Sequence, residues 1–430
     1  MCRWTYTRGA GCSTRRREPR REPVSGKGQA GRKGQGVRSD CWVSVELREN
    51  GGIDISVESI VDSMYGDAIK KDVVSGLTTL GVENAAVEVV DSGALPFVIL
   101  ARLEAAVKRA APETDSELLP QAKPWTQYGT SRDRFRRSRL YLPGDQSKFM
   151  INAGLHGPDG VILDLEDSVA LSEKDAARYV VRNALRTVDF KGAERMVRIN
   201  QLPDGLKDLD FVVPHNVHVI LIPKCEDPED VEAVDERAHA IRSAHGSDAP
   251  VFLMPIVESA LGCWRAYEIA SASPNVIALT IGLEDYTADI GTQRTNEGRE
   301  SFWARSQVVN AARAASVQPI DTVFSDVADM EGLLASVREA KALGFDGKGC
   351  IHPRQIEVIH RGFAPTEAEV EKAKRIVIAF EKAESEGLGV VSLGSKMIDP
   401  PVVKRALRTV KLAVASGVLS EDWRNGGADA

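Results

Sequence analysis

The sequence predicts an α/β protein, a (β/α)8 barrel with a C-terminal helical extension, preceded by a small α+β domain. Three observations carry that expectation. From Arg136 onward, short apolar runs alternate with amphipathic stretches, and eight such runs occur, the count a closed barrel needs. No G-x-G-x-x-G follows the first run, which disfavours an open dinucleotide-binding sheet. Several runs end in charged or glycine-containing motifs, as barrel strands do at the end that carries a site.

The strand candidates are Arg139–Leu142, Gly160–Leu165, Arg195–Ile199, Val217–Ile222, Val251–Val257, Val276–Ile281, Pro319–Phe324 and Gly349–Ile351. Lys174–Leu185, Asp227–Ser243 and Met330–Leu343 show helical spacing between them. Beyond the barrel, Thr366–Glu384 reads as a long helix. A glycine-rich stretch runs from Gly387 to Asp399, and another helix starts at Val402.

The region before the barrel has its own pattern. Cys41–Leu47 and Ile53–Val57 are strand-like around the Glu49-Asn50-Gly51-Gly52 turn, as in a hairpin. Val61–Leu80 has helical spacing with Gly81 as its stop, Ala85–Val90 is a third strand, and Leu95–Ala111 a second helix. Pro112, Pro120 and Pro124 interrupt a polar stretch that reads as a linker, mobile enough for the small domain to visit another site. The expected boundaries are therefore a basic, disordered tail over 1–40, the small domain over 41–111, and a linker over 112–135. The barrel follows over 136–386 and the extension over 387–430.

Composition narrows the function classes. Hydrophobic content of 43% and charged content of 27% suit a soluble globular chain, and no apolar run approaches the roughly 18 residues of a membrane helix. The net charge of −7 conceals a basic tail with Arg15-Arg16-Arg17 and Arg20-Arg21. The acidic body lacks a second basic stretch, which argues against nucleic acid as the main partner. Six cysteines without C-x-x-C or zinc spacing read as free thiols in a reducing compartment, so a cytoplasmic location is expected.

The chemistry gathers where the strands end. A buried strand that closes on a carboxylate is costly to desolvate unless the carboxylate binds something. Val251–Val257 closes on Glu258, and Val276–Ile281 leads into Gly282-Leu283-Glu284-Asp285. Glu258 and Asp285 offer hard oxygen ligands and leave further positions to water and substrate, the manner in which Mg2+ binds. Earlier strands end in Leu142-Pro143-Gly144, Asp164-Leu165-Glu166-Asp167, Arg198-Ile199-Asn200 and Pro223-Lys224. Arg198 is a rigid fork for a carboxylate or oxyanion, or alternatively pairs within Asp164–Asp167 as barrel glue. Lys224 and Arg137 are candidates for substrate or cofactor phosphates, and Gly282 for substrate contact. His352 reads as a loop-orienting group, Glu284 as a capping or supporting one.

Several motifs carry a resemblance. Arg136-Arg137-Ser138, Leu142-Pro143-Gly144, DLED at 164–167, VRIN at 197–200, PIVESALG at 255–262, GFDGKGCIHPRQI at 344–356 and KMIDPP at 396–401 occur in order. Over about residues 136–418 the chain resembles the citrate lyase β branch of the HpcH/HpaI aldolase/citrate lyase family. That resemblance implies a TIM barrel, with Mg2+ on Glu258 and Asp285 and a substrate carboxylate or oxyanion on Arg198. It also implies that Asp399 reaches a neighbouring subunit's site as an acid/base in a homo-oligomer. By its residues alone, Asp399 reads as an N-cap before Pro400-Pro401.

Val43–Lys108 is similar to the citrate lyase γ subunits, an acyl carrier family whose serine carries a phosphopantetheine-containing, CoA-like arm. Arg38 stands where that serine is expected, and Ser39 lies one place later, the nearest attachment candidate. The reaction implied is cleavage of a citryl thioester to oxaloacetate and an acetyl thioester, with a separate transferase (α) subunit as partner. Two alternatives stay open. One is a malyl-CoA or citramalyl-CoA lyase, or a related acyl-CoA aldolase or thioesterase, with a vestigial carrier domain. The other is a non-catalytic carrier and assembly subunit.

Overall fold

The computed structural model describes residues 26–385, 391–393 and 396–424. The arginine runs of the basic tail, Arg15-Arg16-Arg17 and Arg20-Arg21, lie outside the described residues. The small domain is a four-stranded sheet in the order β1-β2-β4-β3, with β1 at Lys27–Gly31, β2 at Cys41–Leu47, β3 at Ile53–Ser59 and β4 at Ala85–Asp91. Two helices cover it, α1 (Asp62–Thr79) and α2 (Pro96–Ala110).

Two expectations about this domain are corrected. First, β2 and β3 are not a hairpin: β4 lies between them, antiparallel to β2 and parallel to β3. The chain crosses over through α1, as parallel neighbours require. Second, the domain begins before residue 41, because β1 pairs antiparallel with β2. Its glycines hid it. A Cβ at Gly28 would fall 2.0 Å from the Ala106 carbonyl oxygen, so glycine here serves the close approach of β1 to α2 rather than coil.

The barrel closes as expected, with all eight strands parallel: β5 (Ser138–Pro143), β6 (Gly160–Asp164), β7 (Glu194–Arg198), β8 (Val219–Ile222), β9 (Phe252–Val257), β10 (Ala278–Ile281), β11 (Gln318–Asp321) and β12 (Gly347–Cys350). Its interior is filled by side chains such as Ile162, Met196, Leu221, Met254 and Ile320, a packed core rather than a pore. After the barrel, helices Glu367–Ser385 and Pro400–Ala415 form a pair around Ile376, Val377, Val403 and Val410.

The stretch 112–135 is not free. Lys123 N–H bonds the Arg186 carbonyl at 2.9 Å, Trp125 Nε1 donates to Thr187 O at 2.9 Å, and the Tyr128 hydroxyl donates to Ala193 O at 2.6 Å. Arg132 reaches Pro274 O and Val276 O at 2.6 and 2.9 Å. Polar composition suggested mobility; the polar groups are instead spent on barrel backbone.

The small domain is itself docked through buried ion pairs. Arg182 of the barrel helix Lys174–Thr187 holds Glu104 at 2.5 Å, and Glu104 also accepts the Leu118 N–H at 2.8 Å. Arg102 grips Asp40 through two bonds of 2.9 and 2.8 Å and donates to the Asp145 carbonyl at 2.7 Å. Arg109 pairs with Asp175. Asp145 lies in the connection leaving β5 and Asp175 in the first turn of the helix that follows β6, so the docking surface borders the C-terminal end of the barrel.

Candidate active site

The C-terminal strand ends bring one set of groups into a cavity of about 390 Å³ lined by Tyr141, Asp164, Asp167, Arg198, Glu258 and Asp285, among others. Arg198 closes β7 and makes a two-pronged pair with Asp164 at the end of β6, both bonds 2.7 Å. Its Nη1 meets Glu166 at 2.7 Å, and its guanidinium lies over the Tyr141 ring. Burial opposes the charge of Arg198, but the Asp164 carboxylate outweighs it and holds the guanidinium's pKa above its ordinary value. Asp164 is correspondingly lowered despite its own burial. Three of the five guanidinium hydrogens are engaged this way, leaving one on each terminal nitrogen.

Glu258 follows β9 and is 7% exposed. Burial first, and the hydrogen bond and charge of Asp285 next, push its carboxyl up to about 9. Asp285, in the first turn of the short helix Leu283–Asp289, is lowered by the same hydrogen bond. The two carboxyl groups line one cavity as neighbouring hard oxygen groups. Gly282 permits it: a Cβ there would come 2.8 Å from Glu258 Cγ. Lys224 Nζ lies 3.6 Å from Glu166, 3.7 Å from Asp285 and 3.9 Å from Asp167.

Of the residues proposed from sequence, Arg198, Glu258, Gly282, Asp285 and Lys224 meet at this mouth. Lys224 faces the carboxylates of Glu166, Asp285 and Asp167. Arg137 is elsewhere. It precedes β5 at the opposite end of the barrel, where it pairs with Asp159 at 2.9 Å and donates to Ser416 Oγ at 3.0 Å. That removes Arg137 from the substrate-binding set. Asp399 lies at that far end too: helix Pro400–Ala415 lines a cavity with Arg136, Gln318 and Asp346, which stand at the beginnings of strands. Asp399 caps the helix, accepting the Val402 N–H at 3.2 Å.

Ser39 sits at the seam between the domains with φ 54°; its N–H bonds Ser92 O at 2.9 Å and its carbonyl accepts the Ser147 hydroxyl. Glu284, outside the pair, is held by Arg294 at 2.7 Å. Sequence reasoning passed over Asp167, whose carboxyl is raised to about 6 by burial and by Glu166, and Arg139, a charge within an apolar strand.

Comparison with known proteins places this geometry. Residues 137–353 match the HpcH/HpaI aldolase/citrate lyase family. The chain belongs to that family. Its β subunit of citrate lyase from Haemophilus influenzae is 43% identical over 291 residues, 67% of this chain and 100% of that one. The human mitochondrial citramalyl-CoA lyase is 32% identical, covering 65% of this chain and 86% of the other. A crystal structure of CitE from Mycobacterium tuberculosis, in complex with magnesium, acetoacetate and coenzyme A, superposes with a TM-score of 0.54 at 30% identity, over 66% of this chain and 99% of that one. Residues 30–110 match the acyl-carrier-like malonate decarboxylase delta subunit (MdcD). The molecule is thus a family carbon–carbon lyase barrel carrying a small acyl-carrier-like domain.

Proposed function

We propose that this protein is a Mg2+-dependent lyase that cleaves a citryl thioester to oxaloacetate and an acetyl thioester. The observation that carries the reading is the Glu258–Asp285 pair beside Arg198 in one cavity. Two neighbouring carboxyl groups, one buried and one half-buried, suit a hard divalent cation, which would leave further positions to water or substrate. When bound, Mg2+ supplies a Lewis acid and template for a 2-oxo acid unit.

The chain's own groups supply the rest. Asp164 and Glu166 hold the Arg198 fork so that its two uncommitted N–H groups are available to a substrate carboxylate or developing oxyanion, worth roughly 3 kcal/mol for a comparable single donor. Lys224 offsets part of the negative charge of Glu166, Asp167 and Asp285. Cleavage requires loss of the tertiary hydroxyl proton, rupture of the adjacent carbon–carbon bond and protonation of the acetyl-thioester enolate. For that last proton the reading takes Asp399 of another copy, since the chain's own Asp399 is at the opposite end of the barrel. A homo-oligomer and a separate transferase subunit belong to the same proposal. A scaffold without chemistry would have no use for two carboxylates held face to face.

A second reading has an observation of its own. Arg38 occupies the place of the expected attachment serine, and Ser39 is tied into a seam stapled by buried ion pairs. Both favour a free CoA thioester as substrate, with the small domain as a fixed module. Intact mass and a turnover assay separate the two. A phosphopantetheine-containing adduct on Ser39 of protein co-produced with its maturation enzymes supports the carrier reading; an unmodified chain cleaving a CoA thioester supports the other. Mixing Asp399→Ala with Glu258→Gln protein tests the shared site: inactive parents whose mixture regains turnover are expected, and an active Asp399→Ala parent sinks the role.

A further inference from the structure

Beneath the carboxylate pair, the barrel interior holds a cation that has no anion among the described residues. Arg139, on β5, is 0% exposed. Its Nη1 touches Met254 Sδ at 2.9 Å and Thr280 Oγ1 at 3.1 Å, while Nε and Nη2 have no hydrogen-bond partner. Among the described residues no carboxylate forms a salt bridge with it. Asp321, on β11, is taken by Lys348 at 2.7 Å and by Arg305 at 3.1 Å. Arg136, three residues earlier in sequence, shows how the fold treats a buried guanidinium it needs for structure: Glu194 meets it at 2.7 and 2.8 Å.

A buried, unpaired charge costs several kcal/mol, and a guanidinium does not escape by losing its proton. No carboxylate among the described residues offsets this one, which leaves the place to an anion from outside the chain. Arg139 lines the same cavity as Arg198, Glu258 and Asp285, and its two unpartnered N–H groups are closed to water. Depth also fits. Thr280, on β10, stands two residues before Gly282, about 7 Å further down the chain, so the guanidinium beside Thr280 lies below the carboxylate pair by the reach of a short acidic side arm.

We propose that Arg139 receives the distal carboxylate of a dicarboxylic 2-oxo acid unit. This is the CH2–COO⁻ arm that a citryl thioester and oxaloacetate carry, and that a citramalyl thioester and pyruvate lack. The inference rests on the lyase reading above and deepens it: Arg139 sets the acyl preference, and Glu258, Asp285 and Arg198 serve every substrate alike.

The test measures binding of oxaloacetate and of pyruvate to the full-length protein with Mg2+, by calorimetry, without turnover. Wild type should prefer oxaloacetate by about tenfold to a hundredfold, the scale of one charged hydrogen-bonded contact. Arg139→Met should reduce that preference to about twofold or less and leave pyruvate binding intact, with a melting temperature without ligand at or above that of wild type. Arg139→Lys, which keeps the charge, should retain part of the preference and guards against a variant that fails to fold. No preference in wild type, or an undiminished one in Arg139→Met, overturns the proposal. Failure of the lyase reading shows separately, as absence of thioester cleavage by wild type whatever the two acids do.

Discussion

At the seam between the domains, Glu104 is met by Arg182, by Lys108 and by the Leu118 amide. At the barrel mouth, Glu258 is also buried, but it faces another carboxylate and accepts a long bond of 3.5 Å from the Lys224 N–H. The carboxyl of Glu104 is lowered, since its cationic and N–H partners outweigh burial, while that of Glu258 is raised to about 9. The same residue type in the same low-polarity surroundings thus ends in opposite states. A buried charge whose partners lie within the chain is part of the scaffold, and one whose partner must arrive from outside marks a site.

The largest expected effects break the mouth without breaking the seam. Glu258→Gln and Asp285→Asn should each lower lyase turnover by about a thousandfold or more, several kcal/mol of lost transition-state stabilisation. Neither should lower the melting temperature of the metal-free protein, since each removes a like-charge contact. Chelator treatment of wild type should reproduce the loss, with recovery on Mg2+ addition. A clear fall in metal-free stability would mean that the pair is scaffold after all.

The converse change targets the seam. Arg182→Met leaves Glu104 buried without its strongest partner and should cost about 3–5 kcal/mol in denaturant unfolding. Replacing both as Arg182→Met with Glu104→Met should return most of that, because two apolar groups need no partner. Turnover by the folded fraction should stay near wild type, since neither residue touches the cavity.

The smallest effect is a slope in pH. His215 and His218 are lowered to about 3, by burial first and then by Arg186 and Arg195 respectively. Their ordinary value is 6.5, so between about 6.5 and 3 the unfolded chain binds protons that the folded chain does not. Stability from these residues is therefore complete above pH 6.5 and lost progressively as the pH falls. His218→Gln should flatten the acid limb of a stability–pH curve, and an unchanged limb would remove His218 from the account.

How much of this was legible beforehand follows from range of interaction. The barrel strands could be read because each apolar run is a local pattern, and Glu258 and Arg198 because a charge terminating such a run is conspicuous. Asp285 was readable from the short distance between β10 and its helix. The β2–β3 pairing was misread because adjacency in sequence says nothing of a strand inserted from further along. Arg137 was misassigned because a position just before a strand puts a side chain at the far end of the barrel. Arg139 carried a signal, a charge inside an apolar strand, but its lack of an anionic partner among the described residues exists only once the other strands surround it.

By itself, then, the sequence determined eight apolar strands, the helices between them, and the acidic and basic residues that close the strands, since these depend on neighbours a few residues apart. Tertiary structure decided which of those charges are satisfied. Asp164 faces Arg198 and Glu104 faces Arg182, whereas Glu258 faces Asp285 and Arg139, among the described residues, faces no carboxylate. That division depends on residues 27 to 78 positions apart, and on the loss of water that would otherwise make a lone buried charge cheap.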